Sequence, residues 1–154
     1  MLIRLFFAVL ASFSPTRMES AQEWNAFLDR IYLVPLEEVE PRDRSPYLAF
    51  FYFSEVYNGG HLQYFLNKTY LPWEETADAI AAMGAIDHAE ILREAIQRWR
   101  SQSRVRPESA EEYVEGALEA EFDDLDGAMY DLYPPLEEYV EKAVVRAAKE
   151  RENR

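Results

Sequence analysis

Ser45-Pro46-Tyr47-Leu48-Ala49-Phe50-Phe51-Tyr52-Phe53-Ser54-Glu55-Val56-Tyr57-Asn58-Gly59-Gly60-His61-Leu62-Gln63-Tyr64-Phe65-Leu66-Asn67 is the stretch whose reading decides the fold. Ser45 is placed to cap a helix and Pro46 to occupy its first position. From Tyr47 to Tyr57 apolar residues fall on almost every side. A helix with no polar face is a buried one, so the spacing predicts a central core helix over about 46–58. Asn58-Gly59-Gly60 stops it, because glycine takes the left-handed conformation at a helix end without steric penalty. Leu62, Tyr64, Phe65 and Leu66 then predict a short helix packed back at an angle.

Upstream, Trp24, Phe27, Leu28 and Ile31 form a helical apolar stripe from Ser20 that ends before Pro35. The connection from Pro35 to Ser45 is rich in Pro and charge, and Arg42-Asp43-Arg44 reads as solvated loop. Residues 1–17 are expected to be an N-terminal extension, and 18–154 a single helical domain. Leu5 to Ala11 is an apolar run after Arg4 and resembles a minimal secretory signal. Leu2 to Phe13 is shorter than the roughly 20 residues that span a bilayer. A cytoplasmic protein starting at Met1 or Met18 is the expectation, with secretion the alternative if residues 1–14 act as a signal.

Downstream, Thr76 to Met83 reads as an Ala-rich helix closed by Gly84, and Asp87 with Glu90 as a variant capping box for the next one. Ile91, Leu92, Ala95, Ile96 and Trp99 are that helix's inward stripe. Arg98, Arg100, Arg104 and Arg106 form a basic patch before Pro107. Ser109 or Glu108 opens an acidic helix, Pro134-Pro135 interrupts, and Leu136 to about Glu150 is the last helix. The fold class is therefore all-α: one compact domain of about seven helices around the buried central one.

With 154 residues, 49% of them apolar, the chain suits one domain with a real core. The absence of cysteine excludes disulfides, thiolate zinc sites and Cys nucleophiles. The net charge of −13 has one source. Residues 108–141 hold thirteen carboxylates and no Lys or Arg, while the sixteen acids elsewhere equal the sixteen basic residues. Such a balance repels nucleic acid and anionic membranes and favours a basic partner.

The familiar chemistries fail on this sequence. Asp124-x-Asp126-Gly127 resembles half of a calcium loop, but Phe122 and Tyr133 stand where the first and twelfth ligands belong. His61 and His88 are the only histidines, and no set of nucleophile, base and orienting group surrounds either in sequence. His61 reads as a packed or capping residue. No catalytic residue, metal ligand or cofactor is expected, and the protein is read as not an enzyme. The segment Ser45 to Lys68 invites a helix-turn-helix reading, but its second helix offers only Lys68 to a phosphate, so direct DNA binding is not expected.

The run Glu55-Val-Tyr57-Asn58-Gly59-Gly60-His61-Leu62-Gln63-Tyr64-Phe65-Leu66-Asn67 resembles the signature of a bacterial helical family that includes the DNA-mimic protein DMP. The helix ending at Gly84, the next through Trp99, the Asp-rich run near Asp126 and the last helix with Tyr139 extend the likeness from Tyr47 to Val144. His61 departs from it, standing where the family more often has an aromatic. The resemblance implies an all-α fold and a homodimer. For one branch it implies surface carboxylates that imitate DNA phosphates and occupy a DNA-binding protein. Asn58, Gly59, Gly60, Gln63 and Asn67 read as a structural motif whose amides tie the turn and short helix to neighbouring backbone.

On a straight helix Glu108, Glu112, Glu115, Glu119, Asp123 and Asp126 share one stripe, with Glu111 beside it. Neighbours in such a row lie about 5–6 Å apart, whereas a DNA strand presents a charge about every 3.4 Å. Other acids, such as Asp124, Asp131, Glu137, Glu138 and Glu141, or a second subunit, must supply the missing density. Phe122 also falls on this stripe, which predicts a break near Glu121 to Asp123. The expected function is a non-enzymatic acidic regulator that binds a basic protein, in one form a DNA mimic, through Glu108, Glu111, Glu112, Glu115, Glu119, Asp123 and Asp126. The alternatives are an immunity- or antitoxin-like inhibitor of a basic enzyme, and a helical binding module using the Asn58–Asn67 turn. The basic patch is a competitor, since Arg98 to Arg106 could cover the acids from within.

Overall fold

A computed structural model describes residues 15–102, 109–112, 114 and 120–152. The signal-like segment 1–14, the arginines Arg104 and Arg106, and the expected partner-binding residues Glu108, Glu115 and Glu119 lie outside them. Six α-helices are described: α1 (Pro15–Ile31), α2 (Pro41–Asn67), α3 (Trp73–Ala82), α4 (Ile86–Ser101), α5 (Asp123–Asp131) and α6 (Leu136–Glu152). A single 3-10 turn, Leu36–Glu38, joins α1 to α2. With no strand among the described residues, the fold is all-α, as the sequence predicts.

The central helix is longer than its apolar run. It starts at Pro41, whose missing N–H costs nothing at a helix N-terminus, and Pro46 lies inside it. Arg42-Asp43-Arg44 is therefore helix and not solvated loop. Asp43 is only 2% exposed and sits between Arg30 of α1 and Arg151 of α6. Burial of a charge requires such partners, and they lie 13 and 108 residues away in sequence. At the other end the helical geometry breaks at Gly59 and Gly60, and Gly60 has φ +75°. The second arm folds back so that Tyr52 and Tyr64 meet across the break, ring centroids 5.0 Å apart.

The other helices wrap these two arms. Phe27 of α1 packs edge-on against Phe50. α3 and α4 form a hairpin through Gly84, whose φ of +94° is the left-handed value expected of a helix-ending glycine. Ile80, Leu92, Met129, Leu136 and Val140 complete the core around Tyr52, Val56 and Phe65. α4 begins at Ile86 with no side-chain cap, so Asp87 is not the capping residue expected of it. Likewise α1 begins at Pro15, which places Met18 inside a helix. Among the described residues no helix is long and apolar enough to cross a membrane.

Candidate functional site

The acidic segment opens with Ser109, whose Oγ accepts the Glu112 backbone N–H at 3.1 Å, a side-chain cap on the helical turn at 110–112. The break expected near Glu121 is present. Ala120 takes φ +54°, and α5 starts afresh at Asp123. Phe122 is buried against His61 and Phe65. An aromatic residue inside an acidic run breaks the stripe because it has a core to fill.

That break sends the acids of α5 to different places. Asp123 faces solvent, as do Glu111 and Glu112. Asp124 is 66% exposed but engaged by Arg98 at 2.5 Å, and that guanidinium holds its carboxyl below the usual carboxylate range. Arg98 also bonds Glu94 and the Glu121 carbonyl, so one residue of the basic patch ties α4 to the acidic segment. Arg100 pairs with Glu74 of α3 instead. Asp126 turns inward. Its Oδ1 accepts both the His61 backbone N–H at 2.9 Å and the ring Nδ1–H at 2.5 Å.

His61 is fully buried, and its other nitrogen, Nε2, lies 2.8 Å from the Tyr52 hydroxyl. Besides Nε2, the Tyr52 hydroxyl meets Met129 Sδ of α5 at 3.9 Å. Burial pushes the Tyr52 phenol well above its ordinary range, which keeps it protonated. The array has the Asp–His–hydroxyl order of a catalytic triad. Tyr52 has no exposure at all, however, so no substrate reaches its hydroxyl. What the array does is fasten α5 to the kink of α2. Gly60 makes room for it, because a Cβ there would collide with the Asp126 carboxylate.

The expected structural motif holds together differently from the reading of its amides. Gln63 Nε2 and Asn67 Nδ2 each donate to Glu55 Oε2 at 2.9 Å, and Lys68 Nζ lies 3.1 Å from Oε1. The tie is to a side-chain carboxylate across the kink, not to backbone, and Asn58 is exposed. Missed in the sequence were Tyr52, Asp43 and the pairing of His61 with Asp126. The last had one available signal, a histidine ring inside an otherwise apolar run, which requires a buried partner somewhere.

A DMP19-like protein family model matches residues 37–148. The chain belongs to this family. The match covers both arms of α2, all of α3 to α5 and most of α6, so the Gly60 kink and the Asp126 anchor both lie within the DMP19-like region. No curated protein and no solved structure matches the chain. Among the described residues no group of His, Asp and Glu is arranged to hold a metal ion.

Proposed function

We propose that this DMP19-like protein is a non-enzymatic acidic regulator that occupies a basic DNA-binding protein through the outward carboxylates of residues 108–126. The observation that carries the reading is the sorting of charge: the whole net charge of −13 is concentrated in residues 108–141. Within that segment Glu111, Glu112 and Asp123 face solvent. Asp126 is reassigned from the contact surface to its support, since its carboxylate is engaged by His61. Asp124 contributes less than its exposure suggests, because Arg98 neutralises it.

The family name supports a DNA-mimic role, and the spacing sets a condition on it. A single helical row of carboxylates, about 5–6 Å between neighbours, is sparser than a phosphate strand, so two rows have to combine. The start of a separate helix at Asp123, just after the positive-φ Ala120, supports this, because the carboxylates of α5 then need not continue the row of 108–119.

The test is capture of partners from the native lysate on immobilised wild type and on a Glu111→Lys, Glu112→Lys, Asp123→Lys variant. Wild type is expected to retain a basic DNA-binding protein that duplex DNA displaces and that rising salt releases, since exposed charges are screened within about 8 Å at physiological ionic strength. Capture that survives the triple reversal would place the contact elsewhere. A captured enzyme whose activity falls, with no competition from DNA, would favour the inhibitor reading over mimicry.

A further inference from the structure

α2 leaves helical geometry at Gly59 and Gly60 and resumes it beyond them. In an unbroken helix the Val56 carbonyl pairs with the Gly60 N–H, and the Tyr57 carbonyl with the His61 N–H. Here side chains of α5 meet the chain on both sides of the break. The Tyr130 hydroxyl donates to the Val56 carbonyl at 2.9 Å, and the Asp126 carboxylate accepts the His61 N–H at 2.9 Å. Asp126 and Tyr130 are one helical turn apart and so lie on one face of α5. A single turn of a separate helix thus spans the break from outside.

The dependence runs the other way as well. α5 has 9 residues, fewer than the roughly 12–15 at which an isolated helix becomes even marginally stable in water. Its helicity therefore rests on what it packs against. Leu125 and Met129 are buried, and just before them Phe122 packs against His61 and Phe65. From α4, Arg98 grips Asp124 and the Glu121 carbonyl. The bonds of Arg98 run to Glu94, Glu121 and Asp124, none of them in α2.

We infer that α5 is a strap across the break in α2, and that strap and break open and close as one unit. A break held by a short helix, and a short helix held by the break, have no separate stability to draw on. The strap ties the kink to the acidic face, since Asp123 and Asp124 keep their outward positions only while it is seated. This holds whatever that face binds. Beyond the clamp at Asp126, it makes Tyr130 a second fastener and gives a contact made in α4 an effect in the interior of α2.

Native-state hydrogen exchange of the full chain, followed amide by amide by NMR, tests the coupling. The reporter for the break is the His61 N–H, bonded to the Asp126 carboxylate. The reporter for the strap is the Asp126 N–H, bonded to the Phe122 carbonyl at 2.8 Å. Both are expected to exchange through one opening, more readily than the Leu48 and Tyr52 amides of the first arm. Tyr130→Phe keeps the ring and loses only the bond to Val56. It should speed both reporters equally, by about two- to tenfold, the range for one hydrogen bond. Arg98→Gln is the sharper test, because it loosens α5 from α4 alone. His61 should then accelerate by the same factor as Asp126, with Leu48 and Tyr52 unchanged. A His61 amide that keeps its wild-type rate while Asp126 exchanges faster, in either variant, would overturn the inference. So would unchanged rates at both reporters, or acceleration of all four amides together, since the whole domain would then be opening.

Discussion

The start of α2 and its kink are each fastened by a carboxylate, and they use opposite means. At the start of the helix Asp43 is held between two cations, Arg30 and Arg151, which draws α1 and α6 onto it. At the kink Asp126 is held by the ring and backbone N–H groups of His61, which draws in α5. The first clamp sets one carboxylate against two guanidinium groups and so adds no negative charge to the protein's outward field. The second uses hydrogen bonds, and its carboxylate is borrowed from the acidic segment. A fold with a strongly charged face can thus draw one of its structural fasteners from that face, so counting acids does not measure the binding surface.

The largest effect is expected at the ionic clamp. Asp43→Ala leaves two guanidinium groups without their partner. Breaking a buried pair costs about 3–5 kcal/mol, and since both arginines keep partial access to water the lower end, about 3 kcal/mol, is expected. Thermal unfolding should show Tm lowered by about 6–12 °C. A smaller change would mean that the arginines relax freely into solvent and that the clamp is weaker than its burial implies.

Next comes the hydrogen-bonded clamp. Asp126→Ala strands the two His61 donors, at about 1–3 kcal/mol for each buried group. The site's 20% exposure lets water replace part of this, so a total of about 2 kcal/mol is expected. Gly60→Ala attacks the same clamp from the other side, through the left-handed backbone and the displaced carboxylate, and should cost about as much. The informative comparison is with partner capture. Asp126→Ala should lower stability while leaving capture nearly intact, and the reverse result would return Asp126 to the contact surface.

His88 supplies the control, an imidazole buried like His61 but with no partner at Nε2. Burial lowers its pKa in the folded protein, with Asp87 opposing weakly. Between that lowered value and the unfolded value of about 6.5 the unfolded chain binds more protons. Its contribution is therefore complete above about pH 6.5 and is lost as pH falls through the folded value. Denaturant titrations from pH 7.5 downward should show stability falling, and His88→Leu should reduce the slope. An unchanged slope would assign the pH dependence to other groups.

The smallest change is expected at Arg98→Gln, which removes a surface pair of the kind worth about 0.2–1 kcal/mol. It also frees Asp124 and Glu94, so capture of a basic partner should tighten even as stability slips.

Much of this architecture is legible in the sequence, for a physical reason. Tyr47 to Tyr57, Ile91 to Trp99 and Leu136 to Ala147 announce their helices because apolar periodicity is local. Asn58-Gly59-Gly60 marks the kink because only a few residues tolerate its backbone. The misreadings that bear most on the site concern charge. Arg42-Asp43-Arg44 looks like solvent-facing loop until Arg30 and Arg151 arrive from elsewhere in the chain. Asp126 looks like its neighbours on the stripe until His61, 65 residues away, turns it inward. A charged residue's role depends on what meets it in space, and spacing along the chain does not report that.

The burial of His61 has a consequence for how such a protein can diverge. A phenyl ring at position 61 would keep the contacts with Phe65 and Phe122 but would offer the Asp126 carboxylate no ring proton. The carboxylate would retain only the backbone N–H and would be released toward water. One interior substitution would then alter the pattern of charge outside while every surface residue stayed the same. Positions 61 and 126 are therefore expected to change together in descent, and the residue found at 61 tells how many acids of the segment are available to a partner.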